Sequence, residues 1–268
     1  MHSLQASSNA IVSAPQTADK VSLAYETAAK WFNRSLDIGH PSSSITMPDR
    51  PGRPEKPQLL APRDMPKRAM NGTSGKLALL HSLAHIELNA IDMTWDLIGR
   101  FTAIQMPRSF YDDWVQVGLE EAKHFKMLEN RLAKLGYGYG DLPAHDGLWQ
   151  AAQSTGHDLK ARLAIVPMVL EARGLDITPP MIAKARSGND EDTAKALETI
   201  YNDEKRHVAF GTKWFRFLCD RERINPHTEF QKLVRKYFKG ALKPPFNDRA
   251  RSEAGLTPNF YRSLMKIS

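Results

Sequence analysis

The chain has 268 residues, 41% of them hydrophobic and 25% charged, enough for one large core or two modest domains and too apolar for a wholly disordered polymer. Lys plus Arg number 37 against 30 Asp plus Glu, a formal net charge of +7, which suits an anionic partner or plain solubility. A single cysteine, Cys219, excludes an intramolecular disulfide and a multi-thiolate metal site.

At the N-terminus, residues 1–19 are rich in Ser, Ala and Gln, with little to bury, and are expected to stay mobile. They lack the basic start and sustained apolar stretch of a secretory signal, so a cytoplasmic location is expected. From Val21 to Leu36 the positions Val21, Ala24, Ala28, Trp31, Phe32 and Leu36 recur at helical spacing and predict an amphipathic helix docked on the body. Residues 41–66 carry seven prolines; missing amide donors and fixed φ predict an extended strap. After Asn71 the pattern turns to long helical periods, over about 74–102, 108–135, 157–175 and 190–219. The stretch GYGYGDLPAHDG at 136–147 begins the long crossover that a four-helix bundle needs if its halves are parallel copies. Pro167 either kinks the third helix or starts it, and Thr178 before Pro179-Pro180 predicts an N-cap, with Asp176 in a break between helices. The longest apolar run near the middle, LAIVPMVL at 163–170, falls far short of the roughly 20 residues of a membrane span. The expected organisation is an arm, helix and strap over 1–70, a helical body over 71–219 and a basic extension over 220–268.

An internal repeat carries the chemistry. ELNAIDMT at 87–94 and EARGLDIT at 171–178 share Glu, a small residue, an aliphatic, Asp and Thr at identical offsets, and each is followed by Glu-x-x-His, in EEAKH at 120–124 and DEKRH at 203–207. Chance would supply about 0.4 Glu-x-x-His matches in a chain of this composition, so two at matched offsets are a strong signal. Glu121 and His124, three apart on a helix, project from one face, as do Glu204 and His207. Glu87, Glu121 and Glu204 interrupt apolar stripes, and burying four such carboxylates, Glu171 included, would cost several kcal/mol each unless they are protonated or meet cations. Two divalent ions would neutralise the four, with the two imidazoles completing the set.

The order Glu87, Glu121-x-x-His124, Glu171, Glu204-x-x-His207 resembles the ferritin-like di-iron carboxylate proteins, which implies an all-α four-helix bundle with metals in its core. The strings RPGRP at 50–54, LLHSLAHIE at 79–87, YGYGDLPAH at 137–145, EARGLD at 171–176 and PFNDRARSEAGL at 245–256 resemble an uncharacterised bacterial ferritin-like family, a domain of unknown function. The resemblance implies that Asp203 and Glu120, each just before a Glu-x-x-His glutamate, hydrogen-bond His124 and His207 of the opposite half and fix their tautomers. Glu120 departs from the usual Asp.

Tyr201, three before Glu204, is placed to bond a ligand or carry an electron, or else to pack in the core. Asp92 and Asp176, five past Glu87 and Glu171, lie about 140° round an ideal helix and should serve as caps or buried hydrogen-bond partners. His81 and His85 read as structural or supporting groups. A donor set of carboxylates and imidazoles suits two divalent ions, iron first, with manganese or a mixed pair as alternatives and zinc compatible. The expected function is an O₂-dependent oxidase or oxygenase acting on a small molecule, with an electron-donor protein as partner. A tRNA-base hydroxylase with an RNA substrate, an iron-storage protein and a bundle that binds metal only for stability are the alternatives. From Gly211 to Ser268 there are 13 Lys plus Arg against 5 Asp plus Glu, so the basicity belongs to the C-terminal segment. There Arg249 or Arg251 would meet an anionic substrate, or pack against acidic helices.

Overall fold

A computed structural model describes residues 3–39, 45–66 and 72–265; Pro41 and Asn71 lie outside them. The described residues are mostly helical, with one two-stranded sheet, and none of their helices is long and apolar enough to cross a membrane. The chain separates into two compact units, Met1–Gln150 and Ala151–Ser268, and each holds one copy of the repeat.

In the first unit, α1 (Leu4–Ser13) packs on α3 (Gly72–Arg100), α2 (Thr17–Phe32) packs on α4 (Arg108–Lys134), and α3 and α4 form its principal pair. Helix α1 corrects the expectation of a mobile start. The Ser3 side chain accepts from the Ala6 amide at 3.2 Å as an N-cap, and Leu4, Ser7, Ser8, Ile11 and Val12 are buried. Its small serines are the reason composition misled: a Cβ on Gly99 would stand 3.0 Å from Ser8 Cβ and 2.5 Å from Met47 Sδ, so this contact needs small residues on both sides. Helix α2 begins four residues before the predicted start, and Phe32 is 42% exposed while Leu36 is buried beyond the helix end.

Over its described residues the Pro-rich strap is irregular apart from strand β1 (Leu59–Leu60), which pairs in parallel with β2 (Ala144–His145), and a 3₁₀ turn at Pro62–Asp64. The strap is fastened by backbone and charge. The Gly52 amide donates to the Val12 carbonyl at 2.8 Å, and a side chain at Gly52 would strike the Ser13 carbonyl at 2.2 Å. Arg53 reaches Asn89 at 2.8 Å and the fully buried Asp92. Lys20, also fully buried, gives Asp92 Oδ1 a 2.7 Å bond and donates to the last-turn carbonyls of α1 at Ile11 (3.1 Å) and Val12 (2.8 Å). Burial pulls the Lys20 ammonium below its usual range, against the Asp92 charge that raises it.

In the second unit, α6 (Leu159–Ile165) runs through a wide π turn at Val166–Glu171 into α7 (Ala172–Ser187), which pairs with α8 (Glu191–Arg221). Helix α5 (Gly147–Ser154) spans the division between units. The π turn settles the reading of Pro167: the helical path neither starts nor breaks there but widens, with the Ala172 amide bonded to the Pro167 carbonyl, which makes room for a ring that an α turn would crowd. On α8, Gly211 receives that ring; an added Cβ would lie 2.5 Å from Pro167 Cβ.

The predicted break at Thr178 does not occur, because α7 carries Pro179 and Pro180 in its interior. Pro179 has no amide to offer the Leu175 carbonyl, and the Asn247 side-chain amide donates to that carbonyl instead, at 3.2 Å. Asn247 belongs to a C-terminal extension of α9 (Pro226–Tyr237), α10 (Asp248–Glu253) and α11 (Pro258–Tyr261), in which α9 packs on α6 and α10 packs on α7 and α8.

Two substitutions test this packing. Gly211→Ala should destabilise by about 1–3 kcal/mol through overpacking against Pro167, read as a lower midpoint in urea. Asp92→Ala leaves the Lys20 ammonium buried without its counter-charge and should cost about 3–5 kcal/mol, whereas Lys20→Met combined with Asp92→Leu should recover most of that loss.

Candidate metal centre

Helices α3 and α4 bring Glu87, Glu121 and His124 together in the first unit. Their close approach is permitted by Gly118, one turn before Glu121: a Cβ there would lie 2.8 Å from Trp95 Nε1. Glu121 and His124 are fully buried and Glu87 nearly so. His124 Nδ1 stands 3.4 Å from Glu87 Oε2 and 3.5 Å from Glu121 Oε2. In the second unit Glu171 ends the π turn, while Glu204 and His207 share a face of α8, with His207 Nδ1 3.5 Å from Glu204 Oε1. A π turn shifts the register of the residues that leave it, so Pro167 and Glu171 are one local device. Glu204 and His207 are buried and Glu171 is half-buried.

Each trio offers ligand atoms that lie within 4.8 Å of one another. Two ligands about 2.1 Å from a common tetrahedral ion stand about 3.4 Å apart, so the imidazole–carboxylate separations match the edges of a coordination shell. The oxygen and nitrogen donors suit hard or borderline divalent ions. Burial, followed by the Glu121 charge, pushes the Glu87 carboxyl well above the usual range, against the pull of His124. These buried groups can hold a metal ion.

Glu120 is buried and accepts from the Gln116 amide at 2.7 Å; Asp203 is buried and accepts from Arg206 at 2.8 Å. The Tyr201 hydroxyl meets the C-terminal extension, accepting from Asn247 Nδ2 at 3.1 Å. Asp92 and Asp176 belong to neither trio and are buried hydrogen-bond anchors, as their offset required. Asp176 takes Arg251 Nε at 2.8 Å and a second guanidinium nitrogen at 2.7 Å, the Asn247 amide at 2.9 Å, and Arg173 at 3.3 Å. Arg251 is therefore a buried packing residue, while Arg249 is exposed and paired with Glu253 at 3.0 Å.

His81 and His85 hold the loop after α4. His81 Nε2 accepts from the Gly140 amide at 2.9 Å. His85 Nε2–H donates to the His145 carbonyl at 3.0 Å, which leaves Nδ1 to accept from the Tyr139 hydroxyl at 2.8 Å. The Tyr139 ring stacks against both histidines. Burial lowers the His85 pKa to about 4, so this ring is neutral at pH 7. Sequence reasoning missed the roles of Tyr139, Asn89 and Asn247: the strings YGYGDLPAH, ELNAIDMT and PFNDRARSEAGL contain them, but nothing local shows which distant residues they meet.

Fold and site together define a helical protein with buried carboxylate–imidazole groups able to hold a metal ion. The chain matches the family described as "Protein of unknown function (DUF455)" over residues 13–262 and belongs to it. A Haemophilus influenzae relative, described as "Uncharacterized protein", is 41% identical over 209 residues, covering 76% of this chain and 73% of the relative. No solved structure matches.

Glu87→Gln tests the burial of charge. A Glu with a raised folded pKa costs stability as pH rises through its unfolded value toward its folded one. In chelator at pH 7 the neutral isostere should therefore raise the melting temperature, while affinity for a divalent metal falls by about tenfold or more.

Proposed function

We propose that this protein is a di-metal carboxylate oxidase or oxygenase, with iron as first choice and manganese or a mixed pair as alternatives. In this reading α3, α4, the α6–α7 path and α8 are the four helices of a ferritin-like bundle, and the two trios supply the ligands for two ions. The supporting observation is the duplication: Glu, then Glu-x-x-His, recurs in both units with its donors clustered, all of them buried except the half-buried Glu171. When bound, two reduced ions of this kind supply electrons to O₂ and direct its oxidising power to a nearby substrate.

The chain's own residues do the rest. Glu87, Glu121, Glu171 and Glu204 bring four negative charges that balance two divalent ions. His124 and His207 add neutral donors, and Asp203 and Glu120 are proposed to orient the imidazole of the opposite half. The buried apolar neighbours Leu80, Ala84, Ile91, Val117, Phe125, Leu197, Ile200 and Val208 exclude water and keep each ligand in one rotamer. A second reading, hydroxylation of a base in tRNA, draws on the exposed cations Arg235, Lys236 and Lys239 at the end of α9, and predicts RNA binding that weakens steeply with salt.

Anaerobic Fe(II) loading with metal counting, then O₂ exposure followed by absorption and Mössbauer spectroscopy, tests the proposal. The wild type should take up two irons per chain and oxidise both, and Glu204→Ala should lose at least one. Uptake of less than one metal per chain by the wild type would overturn the two-ion reading.

A further inference from the structure

Glu171 is carried by a weakened stretch of helix, with the π turn before it and two prolines eight and nine residues after it. A helix interrupted at both ends does not by itself hold a ligand in one place, since each interruption removes or lengthens backbone bonds. The stretch is completed by the C-terminal extension. The two Asn247 Nδ2 hydrogens go to the Leu175 carbonyl, one turn after Glu171, at 3.2 Å, and to the Tyr201 hydroxyl, one turn before Glu204, at 3.1 Å. The Asn247 side-chain oxygen accepts from the Ala250 amide at 3.1 Å, which fixes the orientation of the amide. One side chain thus ties the α7 and α8 ligand helices together, one turn from each glutamate. Asp176 locks it in place through the Asn247 backbone amide and the buried Arg251 guanidinium, which sits 4.9 Å from the Phe246 ring centroid and 4.7 Å from that of Tyr261.

We infer that Asn247 and Arg251 are positioning residues for the metal ligands of this unit, so that docking of the C-terminal extension and metal binding at Glu171, Glu204 and His207 strengthen each other. The inference rests on the reading of those three residues as ligands. Coupling of this kind is reciprocal: a docked extension raises metal affinity, and a bound metal holds the extension down.

The test uses the full chain and Co(II), followed by its absorption bands, with circular dichroism to check helicity. Asn247→Ala and Arg251→Gln should each weaken Co(II) binding by about tenfold, within the range for groups that orient ligands. Pro179→Ala restores an amide opposite the Leu175 carbonyl, so Asn247→Ala combined with Pro179→Ala should recover part of the lost affinity, a rescue that simple loosening of the extension does not predict. In the wild type, Co(II) should slow hydrogen exchange in residues 245–256. Wild-type affinity in both single variants, absence of rescue, or exchange in 245–256 that is indifferent to Co(II) would each overturn the coupling while leaving the metal site standing. A wild type that takes up no Co(II) removes the metal reading, and the coupling with it.

Discussion

A carboxylate taken out of water must be met by opposite charge or by donated protons, and both units are organised by that requirement. The helices of the candidate site carry two kinds of buried acid. Asp92 and Asp176 are met by cations from elsewhere in their own unit, Lys20 and Arg53 in one case and Arg251 in the other. Glu87, Glu121 and Glu204 stand beside imidazoles instead, at 3.4 to 3.5 Å, a spacing that two ligands of one ion can adopt. The two kinds lie five residues apart in each copy of the repeat, about 140° round the helix. One face of the helix is therefore fastened to an arm of the chain and another is left to the site.

This division explains why the irregular parts of the chain exist. The strap over 45–66 and the extension after α9 add little to a helical body by topology, yet each delivers an arginine to the aspartate of its own half. Each also brings an amide or carbonyl contact, Gly52 to Val12 and Asn247 to Leu175. The halves are thus alike in logic and different in means: the first uses an N-terminal strap and a buried lysine, the second a C-terminal helix cap. The loop after α4 is held by a third device, His81 and the neutral His85 stacked on Tyr139, which needs no ion pair.

The candidate ligands were legible in the sequence because they obey a local rule, three residues apart on a helix, repeated at matched offsets. The long helices α3, α4 and α8 were legible for the same reason. Elements whose stability comes from distant residues were not. Helix α1 is buried through serines packed at Gly99, and no composition argument favours a Ser-rich segment for the core; its Ser3 cap and the spacing of Leu4, Ile11 and Val12 were the available signals. The prolines in α7 argued locally for a break, and the amide that makes them tolerable comes from Asn247. Asp92 and Asp176 fall between these cases, since their offset excluded them from the trios while the identity of their partners lay far along the chain.

Lys20 gives the first unit an internal clock. Its amine is wholly enclosed, and all three of its hydrogens are engaged, by Asp92 and by the carbonyls of Ile11 and Val12. An amine so held has no free lone pair for an acylating reagent and no path for the reagent to reach it. It becomes a nucleophile only when α1, α2 and α3 part company. Lys30 and Lys123, on the neighbouring surfaces of α2 and α4, face solvent throughout. The ratio of label at Lys20 to label at those two lysines would thus count openings of the core that houses Glu87, in a mixture, without any purified reporter group.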